Sequence, residues 1–109
     1  MTGKRLRLIK ERGVSDELRR SFDGILVKNS GNYCLEFKFG YNKLSEHQED
    51  YRKKINGINK SFYIVRKITR KWLKWILGNT IYKLITPDNK VIQNYNLEVI
   101  IDYIGGNNE

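Results

Sequence analysis

The most regular hydrophobic pattern in the chain is "ILVKNSGNYCLEFKF", residues 25 to 39, where β-branched and aromatic residues flank Asn29, Ser30, Gly31 and Asn32. Those four residues tolerate turn conformations, so the segment predicts a β-hairpin. Side chains alternate along its second arm. Leu35, Phe37 and Phe39 make one apolar face, while Cys34, Glu36 and Lys38 point the other way. With the turn centred on Ser30 and Gly31, antiparallel pairing sets Asp23 opposite Lys38 and Ile25 opposite Glu36, and three polar groups converge on one face.

A helix is expected next in "KLSEHQEDYRKKING", where Ser45 stands three residues before Gln48 as a capping box and Gly57 offers a stop. Leu44, Gln48, Tyr51 and Ile55 share one side of it, facing the hairpin. "SFYIVRKI" then reads as a strand buried inside a sheet. Upstream, "SDELRRSF" predicts a short helix capped by Ser15, with Asp16 and Glu17 in its first turn and Asp23 and Gly24 at its end. "KRLRLIKERG" is equally compatible with a strand, a helical turn or an arm. Downstream, "TRKWLKWILGN" predicts a helix with Trp72, Trp75 and Ile76 on one side and Gly78 as its stop. "TIYKLITPDNKVIQNY" predicts two short strands around a turn with Pro87 at its first corner. "NLEVIIDYIGG" has helical spacing at Leu97, Ile100, Ile101 and Ile104, although its β-branched content also permits a strand. The tail "GGNNE" is expected to fray.

A length of 109 residues suits one domain, with no linker or repeat to divide it. No apolar run approaches the roughly 20 residues of a membrane span; "WLKWILG" is broken by Lys74. No secretory leader or membrane partner is expected, and a single cysteine, Cys34, suits a reducing, cytoplasmic setting without internal disulfides. Charge changes the picture most. With 21 Lys and Arg against 12 Asp and Glu, the net charge is +9, which favours a polyanionic partner, nucleic acid first.

That charge gives the converging polar face a chemistry. Two carboxylates a few ångströms apart repel each other unless a cation lies between them, and oxygen ligands suit a hard ion such as Mg2+ or Mn2+. Asp23 and Glu36 would supply the carboxylates and Phe37 its backbone carbonyl. Beside a metal-bound water, the Lys38 ammonium can orient the nucleophile or stabilise a phosphoryl oxygen. A zinc hydrolase is disfavoured because His and Cys are too few; His47 is the sole histidine and reads as a helix-surface residue, and Cys34 as a packing residue. Trp72 and Trp75, set among Arg70, Lys71 and Lys74, suit base stacking or, alternatively, a core or subunit contact.

"FDG" at Phe22 to Gly24, "LEFK" at Leu35 to Lys38 and "LSEHQ" at Leu44 to Gln48, followed by a helix and "SFYIVRK", resemble the PD-(D/E)XK nuclease superfamily. Within it the chain is most similar to the small VRR-NUC and Holliday-junction-resolvase-like branch often carried by phages and archaeal viruses. The resemblance covers about residues 14 to 68 and leaves residues 69 to 109 as a C-terminal extension. It implies an α/β fold of restriction-endonuclease-like type, a mixed central sheet flanked by helices. It further implies a divalent-metal-dependent endonuclease acting on DNA, with Asp23 and Glu36 as metal ligands, Lys38 serving the attacking water and Gln48 beside the lysine. Phe22 stands where the family usually has proline, and the upstream acidic ligand is left open between Glu17 and Glu11. Lys4, Arg5 and Arg7, Arg19 and Arg20, Lys43, Arg52 and Lys53, and Arg66, Lys67, Arg70 and Lys71 are the expected phosphate contacts. A homodimer is expected for paired cuts on a duplex or junction. The competing expectation is a non-catalytic module on the same fold that binds nucleic acid or a host protein.

Overall fold

The computed structural model describes the backbone at residues 5–8, 22–73 and 76–105, and side chains at 22–69 and 79–105. Six strands form one mixed sheet in the order of the chain: β1 (Arg5–Leu8), β2 (Gly24–Lys28), β3 (Gly31–Phe39), β4 (Phe62–Leu73), β5 (Ile76–Ile85) and β6 (Val91–Asn94). Helix α1 (Glu46–Ile58) connects β3 to β4, and α2 (Leu97–Tyr103) follows β6. The pair β3 and β4 is parallel and every other pairing is antiparallel. This is the expected α/β architecture, a mixed sheet flanked by helices.

Parallel pairing is stable when both faces of the strand are covered, and β4 has the sequence for it. Phe62 and Ile64 point to one face, Tyr63 and Val65 to the other, and all four are buried. On the first face, Phe22, Phe62 and Ile64 pack with Ile25, Cys34 and Ile85 against Leu44, Tyr51 and Ile55 of the α1 side. The Phe22 ring stacks on Tyr51 at 5.6 Å between centroids. On the second face, Leu26, Leu35, Tyr63, Val65 and Leu84 meet Ile100 and Ile104 of the α2 segment. Phe39, expected on an apolar face, is instead 68 % exposed. It borders an open pocket of about 260 Å³ whose other apolar walls are Phe37, Val65, Tyr82 and Leu97.

Ser45 caps α1 as expected: its hydroxyl accepts from the Gln48 N–H (3.1 Å) and the Gln48 Oε1 accepts from the Ser45 N–H (3.0 Å). The turn at Thr86 to Asn89, with Pro87 at the first corner, separates β5 from β6. Of the two conformations open to "NLEVIIDYIGG", the helix forms, capped by the Asn96 side chain on the Glu98 N–H (2.9 Å). "KRLRLIKERG" supplies the edge strand β1. The helix expected in "SDELRRSF" lies outside the described residues.

Gly24 opens β2. Two expectations are corrected. Gly57 does not stop α1, which runs to Ile58; the reversal comes at Asn59 and at Lys60, whose φ is +52°. "TRKWLKWILGN" is not helical: Trp72 lies in β4, Gly78 in β5, and the two strands pair through Thr69 with Thr80 and Leu73 with Ile76, with irregular register between them. Pairing with a neighbouring strand outweighs a modest local helix preference. The side chains of Trp72 and Trp75 lie outside the described residues.

Lys28 ties the sheet to α2. It is 5 % exposed, and its ammonium donates to the carbonyls of Ile104 (2.5 Å) and Asp102 (3.1 Å) at the C-terminal end of the helix, where a cation also suits the helix dipole. Lys28→Met keeps the aliphatic stem and removes the donor from two carbonyls, so it is expected to cost about 1–3 kcal/mol in urea unfolding. An unchanged midpoint would show that these bonds contribute nothing net.

Candidate active site

The hairpin register differs from the expected one by two residues. Lys28 pairs with Gly31, so Asn29 and Ser30 form a two-residue turn, Ile25 lies opposite Cys34 rather than Glu36, and Gly24 opposite Leu35. Both closures use two residues; the observed one sits one position earlier and leaves Gly31, at φ +149°, as the first paired residue of β3. A slip of two keeps every side chain on its original face. Its effect is to bring Asp23 beside Glu36 instead of opposite Lys38.

Because β2 begins at Gly24, the end of β3 beyond Leu35 has Asp23 as its one neighbour on that side among the described residues. The Asp23 N–H donates to the Leu35 carbonyl (2.9 Å), and its Oδ2 accepts from the Phe37 N–H (2.8 Å). The carboxylate thus continues the ladder that the strand leaves unfinished. A strand residue directs its N–H and C=O to the same side, so the Phe37 carbonyl also faces the Asp23 edge. Phe22, buried under Tyr51, anchors the residue before Asp23.

Glu36 points to the α1 face and is 3 % exposed. Its Oε2 accepts from the Gln48 Nε2 at 2.9 Å and lies 3.7 Å from the Lys38 ammonium. Its Oε1 is buried and has no hydrogen-bond partner among the described residues. Burial, and then the neighbouring Asp23 charge, push the Glu36 carboxyl up to about 7, against the opposing pull of Lys38 and Gln48. An unpartnered carboxylate oxygen beside a second carboxylate and a backbone carbonyl is an oxygen donor set that fits a hard divalent ion completed by water. No cluster of three His, Cys, Asp or Glu side chains occurs among the described residues; Glu11 and Glu17, the expected upstream ligands, lie outside them. Burial pushes the Cys34 thiol up to about 11, in keeping with a packing role.

Asp23, Glu36, Lys38 and Gln48 are therefore brought together. The expected phosphate contacts are more dispersed. Lys43, Lys53 and Lys67 are exposed. Arg66 donates to the Asn42 carbonyl (2.6 Å) and, more distantly, to that of Gly40 (3.4 Å), fastening the loop that leaves β3. Arg52 is half-buried and donates to the Thr86 carbonyl (3.1 Å) and the Asn89 Oδ1 (2.9 Å), so its guanidinium braces α1 against the β5–β6 turn. Arg5 and Arg7 belong to β1, and Arg70 and Lys71 to β4, with side chains outside the described residues; Lys4, Arg19 and Arg20 lie wholly outside them.

Sequence reasoning missed Lys83. The register places Lys38 beside Arg66 and Arg66 beside Lys83, one step apart on β3, β4 and β5. The available signal was the lysine interrupting an apolar strand in "IYKLI", the same signal that singled out Lys38 in "LEFKF". Compared with family models, with curated proteins and with solved structures, the chain matches none.

The Glu36 environment has a thermodynamic consequence in the absence of metal. The unfolded chain releases this proton near 4.5 and the folded protein near 7, so the contribution of Glu36 to stability is complete below about pH 4.5 and is lost as the pH rises through 7. Urea unfolding in chelator is expected to show Glu36→Gln gaining on the wild type by on the order of 3 kcal/mol across that window. A difference between the two proteins that does not vary with pH would contradict the assigned environment.

Proposed function

We propose that this protein is a divalent-metal-dependent endonuclease that hydrolyses phosphodiester bonds in DNA, on a restriction-endonuclease-like version of the mixed sheet. The observation that carries the reading is Glu36: a buried carboxylate with one unpartnered oxygen, next to Asp23, with Lys38 and Gln48 on its other oxygen. The resemblance of "FDG", "LEFK" and "LSEHQ" to the PD-(D/E)XK superfamily and the net charge of +9 support it independently.

Asp23, Glu36 and the Phe37 carbonyl would hold the ion. Bound Mg2+ or Mn2+ supplies Lewis-acid polarisation of a phosphoryl oxygen and lowers the pKa of its water. Gln48 fixes the rotamer of Glu36 by donating to Oε2, which leaves Oε1 for the ion. Lys38, 3.7 Å from that same Oε2, is placed to orient the attacking water and to stabilise charge developing on the phosphate. The N-terminus of α1 adds the positive end of its dipole to the same end of the sheet. One such centre cuts one strand, so paired cuts on a duplex or junction require a homodimer. The reading places the protein in the cytoplasm, of a host cell if it is viral; no described helix is long and apolar enough to cross a membrane.

Labelled linear duplex, flap and four-way-junction DNA, incubated with magnesium, manganese or chelator, test the reading. Wild type is expected to cut at least one substrate only with metal, and Lys38→Ala to lose about 100-fold or more in rate while still binding DNA in chelator. Absence of cutting by a folded, DNA-binding wild type would instead favour a non-catalytic binding module.

A further inference from the structure

The carboxylate pair has a cationic border that runs across the sheet into a part of the chain the family resemblance does not reach. Lys38, Arg66 and Lys83 occupy one transverse row on β3, β4 and β5. Alternation along β4 puts Arg66 on the face of Phe62 and Ile64, which is the α1 face that also carries Glu36. Lys83 lies on that face too, two residues from Ile85, which packs there. Neighbouring strands are about 4.8 Å apart, so the row extends roughly 10 Å from Lys38 to Lys83.

Like charges directly opposite on adjacent strands destabilise a sheet, so three in a row need an explanation. Lys38 has Glu36 as its counter-ion. The contacts of the other two are neutral: Arg66 donates to the Asn42 and Gly40 carbonyls, and the Lys83 ammonium lies 5.8 Å from the centre of the Tyr41 ring. Carbonyl dipoles and an aromatic face orient a cation without cancelling its charge. Tyr41 is itself 73 % exposed, so the ring over Lys83 is set at the surface and does not seal the row from an incoming ligand.

We propose that Lys83, together with Arg66, forms a second phosphate subsite that holds a backbone phosphate next to the one attacked at Lys38, so that a nucleic-acid strand crosses the sheet from β3 towards β5. The proposal rests on the nuclease reading for the identity of the first subsite. It gives part of the C-terminal extension a role in holding substrate. Lys83 contributes through a phosphate and not through a base, so its effect is independent of sequence and sensitive to salt.

The test measures binding of duplex DNA in chelator between about 50 and 200 mM salt, and separately kcat and KM with metal, for wild type, Lys83→Met, Lys83→Arg and the exposed control Lys90→Met. Lys83→Met is expected to weaken low-salt binding about three- to tenfold and to reduce the slope of log affinity against log salt by about one. It should raise KM and leave kcat nearly unchanged, with Lys83→Arg close to wild type. If Lys83→Met lowers the melting temperature, Lys83→Gln takes its place. Binding, slope and KM equal to wild type, or an equal loss in Lys90→Met, would overturn the subsite. Cutting that is abolished by Lys38→Ala while Lys83→Met changes nothing would leave the nuclease reading standing and the subsite refuted. Weakened binding in Lys83→Met with no cutting by any protein would retain the subsite and refute the nuclease.

Discussion

The parallel pairing of β3 with β4 is the constraint on which the remaining arrangement depends. Two parallel neighbours cannot be joined by a tight turn, so the chain must leave the end of β3, cross the sheet and return to the start of β4. Helix α1 is that return. The same step sets the C-terminal ends of two strands and the N-terminus of a helix at one edge of the molecule. Polar side chains placed there meet helix dipole, backbone donors and each other, whereas the same residues mid-sheet would meet only core.

Burial of β4 on both faces makes this arrangement secure, and it also makes the site costly. Glu36 shares a face with Phe62 and Ile64, so its carboxylate is taken from water alongside residues that belong in the core. One lysine and one amide offset part of that cost, and Asp23 adds to it. The electrostatics are thus those of a buried carboxylate held beside a second one, at a cost in local stability.

How much of this was legible from the residues depended on the range of the interaction. The capping box at Ser45 and Gln48, the Pro87 turn and the split of β3 into Leu35 and Phe37 against Glu36 and Lys38 all follow from neighbours within four positions. The hairpin register came out two residues away, because "NSGN" offers more than one closure and only the pairing chooses between them. The face of each residue survived, since an even slip cannot move a side chain through the sheet. "TRKWLKWILGN" misled because its apolar spacing suits a helix, while its two halves pair with each other as the end of β4 and the start of β5. Lys83 had a local signal, a lysine inside the apolar "IYKLI", but that it stands in one row with Arg66 and Lys38 is a product of pairing, which no local pattern encodes.

Gln48 carries one further consequence. A single amide closes the first turn of α1 with its oxygen and grips Glu36 with its nitrogen. The start of the helix and the shape of the carboxylate site are therefore one cooperative unit: the first turn cannot fray without freeing Glu36, and Glu36 cannot rotate without loosening the first turn. Helix ends are ordinarily the softest parts of a fold, open and shut on fast timescales. Here the first turn is held from the sheet as well, and whatever steadies Glu36 from the side of the sheet also winds the helix above it.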